Sequence, residues 1–220
     1  MSKQDRIMRR RERSRIQVGE GRETSLSRAT DVRDEKRSVL LATNGEKTEN
    51  EYLKGLVASP ERYHPSFSKP VVKVFKGDPT ALVKDASKHA ALNEHDLVFA
   101  VADTENGEPD VKVGEAQEAA IKCHIKMIWS RPCIEVWLIQ HFTPYNAHLN
   151  NGDAAVDALR KHDPDYKKNE PFFDRYEPLI STAVNHGKSC TRDPARSDGN
   201  PSSSMWKLVE HLRSGVEPSP

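Results

Sequence analysis

The chain has 220 residues, enough for one large domain or a domain with an appendage, and no apolar run in it is long enough to span a membrane. Hydrophobic residues make up 35% and charged residues 30%, with a mean hydropathy of −0.76, so a core can form but some stretches are too polar to join it. The formal net charge of +1 conceals an asymmetry, because residues 1–37 hold 12 Lys and Arg against 7 Asp and Glu. That basic segment reads as a flexible arm in which Arg9, Arg10, Arg11, Arg13 and Arg15 could meet nucleic-acid phosphates through a sequence-independent electrostatic attraction. A solvated tail that binds nothing in particular fits the same composition. The arm has no apolar secretory region, so the expected location is the cytoplasm. Cys123, Cys133 and Cys190 are odd in number and lack CxxC spacing, which points to free thiols rather than a disulfide framework or a zinc site.

The body begins at Val39-Leu40-Leu41, a run of the kind found in buried parallel strands, which Asn44-Gly45 ends. Thr48 and Glu51 have capping-box spacing and predict a helix from Thr48 to about Val57. After a Pro-rich connection, residues 71–75 predict a second strand. Asp78-Pro79 then predicts a capped helix reaching about Leu92. Residues 96–102 are the clearest strand, and they deliver Asp103-Thr104-Glu105 at their carboxyl end. A helix over 113–124, a strand over 125–129 and a helix over 133–142 follow. The alternation predicts an α/β core at 38–142 with a mostly parallel sheet flanked by helices, joined by right-handed crossovers. Beyond it, helices near 153–160, 171–185 and 203–214 form a C-terminal helical extension at 143–220, with an exposed loop at 186–202.

In open α/β sheets, ligands bind at the carboxyl ends of strands. Asp103 and Glu105 stand two apart, so an extended segment sends both carboxylates to one face. With no Lys or Arg between them they suit a hard divalent ion such as Mg²⁺ or Mn²⁺, and a solvated strand end is the plainer alternative. Glu46, Glu105 and Glu135 are expected on the same sheet edge. Glu135 shares a helix face with Leu138, Ile139 and Phe142, and a carboxylate buried there needs a partner, a metal or a proton. His141, on another face, is expected to pack or hydrogen-bond. Trp129, Trp137 and Trp206 are expected in the core, and Lys167 and Lys168 as a solvated pair. Phosphate-binding loops of the GxGxxG and GxxxxGK[ST] types are absent, as are HExxH and GxSxG, so the chain is not expected to be an ATPase by itself.

The segments NGEKTENEYLKGL, KGDPTALV, LVFAVADTEN, WSRPCIEVWLIQHF and NPSSSMWKLVEHL, in that order from Val39 to Leu212, resemble the successive motifs of the RloB-like family. The resemblance implies a Toprim-like core related to that of OLD-family nucleases. It also implies Mg²⁺ held by a strand-end acidic turn and a DxD pair, action on nucleic-acid phosphodiesters, RNA or DNA, and a role in phage defence through restriction or abortive infection, commonly beside an ATPase encoded nearby. Carried over, the metal-binding pair is Asp103 and Glu105, the helix carboxylate is Glu135, and Glu46-Lys47-Thr48-Glu49 match EKTE. Lys47 would contact the scissile phosphate. Asn44 stands where the family has the glutamate that serves as general acid, base or metal ligand, and an amide cannot shuttle a proton. Three consequences stay open: Glu46 assumes the carboxylate role, metal binding persists with weakened chemistry, or the chain is a nucleic-acid-binding or regulatory subunit of an ATPase-containing defence complex.

Overall fold

Val39–Thr43 (β1) is buried along its whole length, as expected of a strand covered on both faces. It lies inside a five-stranded sheet of order β2-β1-β3-β4-β5, with β2 at Val71–Val74, β3 at Leu97–Asp103, β4 at Lys126–Arg131 and β5 at Ser202–Ser203. The first four strands are parallel and β5 is antiparallel to β4. The computed structural model describes residues 35–104, 110–168, 170–190 and 192–216. Arg9, Arg10, Arg11, Arg13 and Arg15 of the arm, and Glu105 of the strand-end pair, lie outside the described residues.

Side chains alternate across each strand and divide the core in two. Leu40, Ala42, Val98, Ala100, Ala102 and Trp129 face helices Pro79–Leu92 (α2) and Asp110–Lys122 (α3). Val39, Leu41, Phe99, Val101 and Ile128 face Thr48–Leu56 (α1), Glu135–Ile139 (α4), Gly152–Arg160 (α5), Phe173–Tyr176 (α6), Ile180–Ser189 (α7) and Met205–Ser214 (α8). The C-terminal helices therefore form part of the layer that covers one face of the sheet. Trp137 and Tyr52 sit fully buried at the centre of that layer.

Several local expectations hold. Asp78 caps α2 by accepting from the Ala81 backbone N–H at 2.8 Å, with Pro79 at the first helical position and Gly77 ahead of it at φ +117°, a conformation that favours glycine. Three expectations do not hold. The Thr48–Glu51 capping box is not made: Lys47 is the residue before α1 and supplies no side-chain cap, Glu51 N–H bonds to Lys47 O at 2.8 Å, and Thr48 is already helical. The helix expected over 171–185 divides at Glu177-Pro178 into α6, one 3₁₀ turn and α7, because proline lacks the amide that would continue the ladder. The loop expected at 186–202 is shorter and less exposed, since α7 runs to Ser189 and Pro201 and Ser202 are buried where β5 joins the sheet.

Candidate functional site

Parallel strands put their carboxyl ends on one side, and three carboxylates meet there. Asp103 is the last residue of β3, in register with Ser130 of β4. Glu135 opens α4, directly after the turn that follows β4, and is 1% exposed. Glu49 is the second residue of α1 and is 9% exposed. Each is thus held by a strand end or the first turn of a helix, where orphan backbone N–H groups favour negative charge.

The electrostatics match this crowding. Burial, and then the charges of Glu49 and Glu135, raise the Asp103 carboxyl well above the usual aspartate range, and the Ile134 backbone N–H offsets part of that rise. Glu49 is also raised, first by burial and further by Glu135. Asp103 Oδ1 is buried without a hydrogen-bond partner. A buried acceptor left unsatisfied in a protein is costly, and at a ligand site it signals a missing partner.

Glu135 is the best-satisfied of the three. Tyr166 O–H donates to its Oε1 at 3.0 Å, and the Lys168 ammonium approaches the same oxygen at 3.2 Å. Because the phenol proton is committed to Glu135, the Thr48 hydroxyl donates to the Tyr166 oxygen at 3.2 Å, so the residue expected to cap α1 instead anchors this network. Burial lowers the Lys168 pKa, but the Glu135 carboxylate more than compensates, and the net displacement is upward. Lys168 is therefore no solvated partner of Lys167, which pairs with Glu170 at 2.9 Å.

Gly45 completes the arrangement. A Cβ there would overlap the Glu49 carboxyl group, so the turn after β1 has to be glycine for that carboxylate to lie against its backbone. The Gly45 N–H is itself held by Thr43 Oγ1 at 3.0 Å.

Of the residues singled out from sequence, Asp103 and Glu135 come together. Glu46 does not join them: its side chain is 59% exposed and pairs with Lys76 at 3.4 Å. Asn44 faces the neighbouring turn, its Nδ2 donating to Gly77 O at 3.2 Å. Lys47 and Lys168 line an open cavity of about 460 Å³ with Glu46, Asn50, Glu51 and Glu170, and Lys168 links that lining to Glu135. Glu49, Tyr166 and Lys168 were missed as site residues. Only the EKTE match hinted at Glu49. His141 bonds as expected: its Nδ1–H donates to Trp137 O at 3.1 Å, which leaves Nε2 to accept from Tyr52 O–H at 3.2 Å. This contact ties α1, the carrier of Glu49, to α4, the carrier of Glu135.

The carboxylates fit a divalent cation by chemistry. They are hard oxygen donors, mutually repelling, with one buried oxygen unanswered. Among the described residues no group of three His, Cys, Asp or Glu stands ready as a coordination shell, so binding an ion would need side-chain adjustment. Among them, too, no helix is long and apolar enough to cross a membrane.

A family model described as RloB-like protein matches residues 39–212. No curated protein and no solved structure matches the chain.

Proposed function

The chain belongs to the RloB-like protein family, and on that premise we propose that it is a Mg²⁺-dependent, Toprim-type nuclease that cleaves nucleic-acid phosphodiesters in the cytoplasm as part of phage defence. The observation that carries this reading is the convergence of Glu49, Asp103 and Glu135 at the carboxyl end of the parallel sheet, with Asp103 Oδ1 buried and unpartnered. Asp103 and Glu49 would hold the ion, with Glu105, two positions after Asp103 in the sequence, as the further ligand implied by the resemblance, and Mn²⁺ would serve the same donors. When bound, such an ion activates water and stabilises the charge that develops on phosphate oxygens. Glu135, kept in place by Tyr166, orders the acidic shell rather than reaching out of it.

The remaining roles belong to the cavity beside the carboxylates. Lys47 lies where a phosphate entering the cavity would meet it, and the basic arm adds attraction that is independent of sequence. Asn44 holds the adjoining turn and carries no shuttling proton, and Glu46, paired with Lys76 at the surface, stands outside the acid cluster. A rival reading, binding without cleavage as a regulatory subunit of an ATPase-containing complex, draws on Asn44, because the turn lacks the carboxylate implied by the resemblance.

The test incubates the full chain, alone and with any ATPase encoded beside it, with Mg²⁺ and labelled tRNA, single-stranded RNA or DNA. Cleavage by the wild type that Asp103→Asn lacks is the expected result. Equal cleavage by the variant would remove the site. Binding with no cleavage under any of these conditions would favour the regulatory reading.

A further inference from the structure

The three carboxylates are answered by a cation that belongs to the chain itself. Lys168 lies in the connection between α5 and α6, and its Nζ stands 3.2 Å from Glu135 Oε1. The lysine side chain is 46% exposed whereas that of Glu135 is 2% exposed, so the ammonium plugs the boundary between the buried cluster and solvent. Its charge also acts on Glu49 and Asp103. On its outer side Lys168 lines the cavity with Glu46, Glu51 and Glu170, three carboxylates that a withdrawn ammonium could meet without entering bulk solvent alone. A flexible four-carbon stem bearing a compact charge allows such a move, which a rigid guanidinium fork would not make as readily.

We propose that Lys168 is a tethered counter-ion that occupies the acid cluster in the metal-free protein and is displaced toward the cavity when a divalent cation binds. The inference rests on the metal-site reading above. An ion held by Asp103 and Glu49 would stand beside the Lys168 ammonium on Glu135, whose charge already acts on both carboxylates, so the lysine and the metal repel and compete, and metal binding opens a path from the cavity to the carboxylates. Displacement also frees a positive charge at the mouth of the site at the moment the metal arrives, where an incoming phosphate would meet it. Apparent metal affinity is thereby lowered by the cost of expelling the lysine.

The experiment measures Mg²⁺ and Mn²⁺ binding by titration calorimetry on the full chain as wild type, Lys168→Met, Lys168→Arg and Asp103→Asn. Methionine keeps the stem and removes the charge. For a half-exposed pair, the expected gain in divalent affinity for Lys168→Met is roughly tenfold, with Lys168→Arg below wild type because the fork withdraws less readily, and Asp103→Asn losing the binding. In the wild type itself, the modification rate of the Lys168 amine by reductive methylation, read by peptide mass spectrometry, rises several-fold on adding metal, while that of Lys167 stays constant. This second readout needs no variant to fold. If the wild type binds metal but Lys168→Met binds no tighter, or if metal protects Lys168 from methylation, the counter-ion is refuted and the metal site stands. If neither wild type nor Lys168→Met binds either ion, the metal site and the counter-ion fall together.

Discussion

His141 gives the site a measurable acid limit. The ring is 1% exposed and enclosed by Tyr52, Trp137 and Tyr176, with ring centroids 5.7, 5.1 and 5.1 Å away. Burial, only partly offset by the Trp137 and Leu138 backbone, lowers its pKa from 6.5 to about 4. The folded value is depressed, so its contribution to stability is fully present above the unfolded pKa of about 6.5 and is lost as pH falls toward the folded value near 4. Across that window the unfolded chain binds up to one more proton than the folded chain, a slope approaching about 1.4 kcal/mol per pH unit and a total of about 3 kcal/mol. Protonation would also put a donor on Nε2, which now accepts from Tyr52, and so would loosen the junction between the helices carrying Glu49 and Glu135. The assay is urea denaturation of wild type and His141→Gln from pH 8 to pH 4. The variant costs stability at neutral pH because an aromatic core group is lost, but the difference between the two curves should shrink by about 3 kcal/mol between pH 6.5 and 4. Using the difference removes the opposing contributions of Glu49 and Asp103, which both proteins share. Parallel curves over that range would refute the assignment of a neutral, buried His141.

Two further outcomes follow from the carboxylates. The raised Asp103 pKa means that its contribution to stability is present below the unfolded pKa and is lost as pH rises through the folded value, so above the unfolded range the protein without a bound ion carries the cost of holding this carboxyl beside Glu49 and Glu135. Asp103→Asn should therefore raise the thermal midpoint of the metal-free protein by a few degrees while removing metal-induced stabilisation, and an unchanged or lower midpoint would contradict the crowding. Gly45→Ala should fold with a loss of about 1 kcal/mol or less, because the overlapping Glu49 carboxyl lies at the end of a flexible side chain and can swing away. Calorimetric titration with Mg²⁺ should then show affinity at least about tenfold weaker. Unaltered affinity would exclude Glu49 from the shell.

The elements with strong local signals were legible in the sequence. Strands β1 and β3 are near-continuous apolar runs, the Asp78-Pro79 start of α2 carries its own capping chemistry, and the helical face shared by Glu135, Leu138 and Ile139 announced a buried carboxylate. The choice between Glu46 and Glu49 was not legible, for a rotational reason. A capping box would make Thr48 the residue before the helix, but α1 starts one residue earlier, with Lys47 before it. The shift turns Thr48 and Glu49 inward, toward Tyr166 and Asp103, and leaves Glu46 outside on the surface with Lys76. Lys168 and Glu135 stand 33 positions apart and meet only because the α5–α6 connection crosses the end of α4, a tertiary fact that no local pattern encodes. Strand β5 is two serines long, and its burial depends on the Ser130 and Ser203 hydroxyls bonding at 2.8 Å, so periodicity had nothing to read.

On the proposed reading, Glu49 is the first-turn carboxylate of α1 that serves the chemistry, acting with Asp103. The most direct measurement compares cleavage of labelled RNA and DNA in Mg²⁺ by wild type, Glu49→Gln and Glu46→Gln, with Asp103→Asn as the blank. If Glu49 holds the ion as proposed, Glu49→Gln falls by about 100-fold or more, against a change of no more than a few-fold for Glu46→Gln. Activity retained by Glu49→Gln and lost by Glu46→Gln would place the chemistry on Glu46 instead.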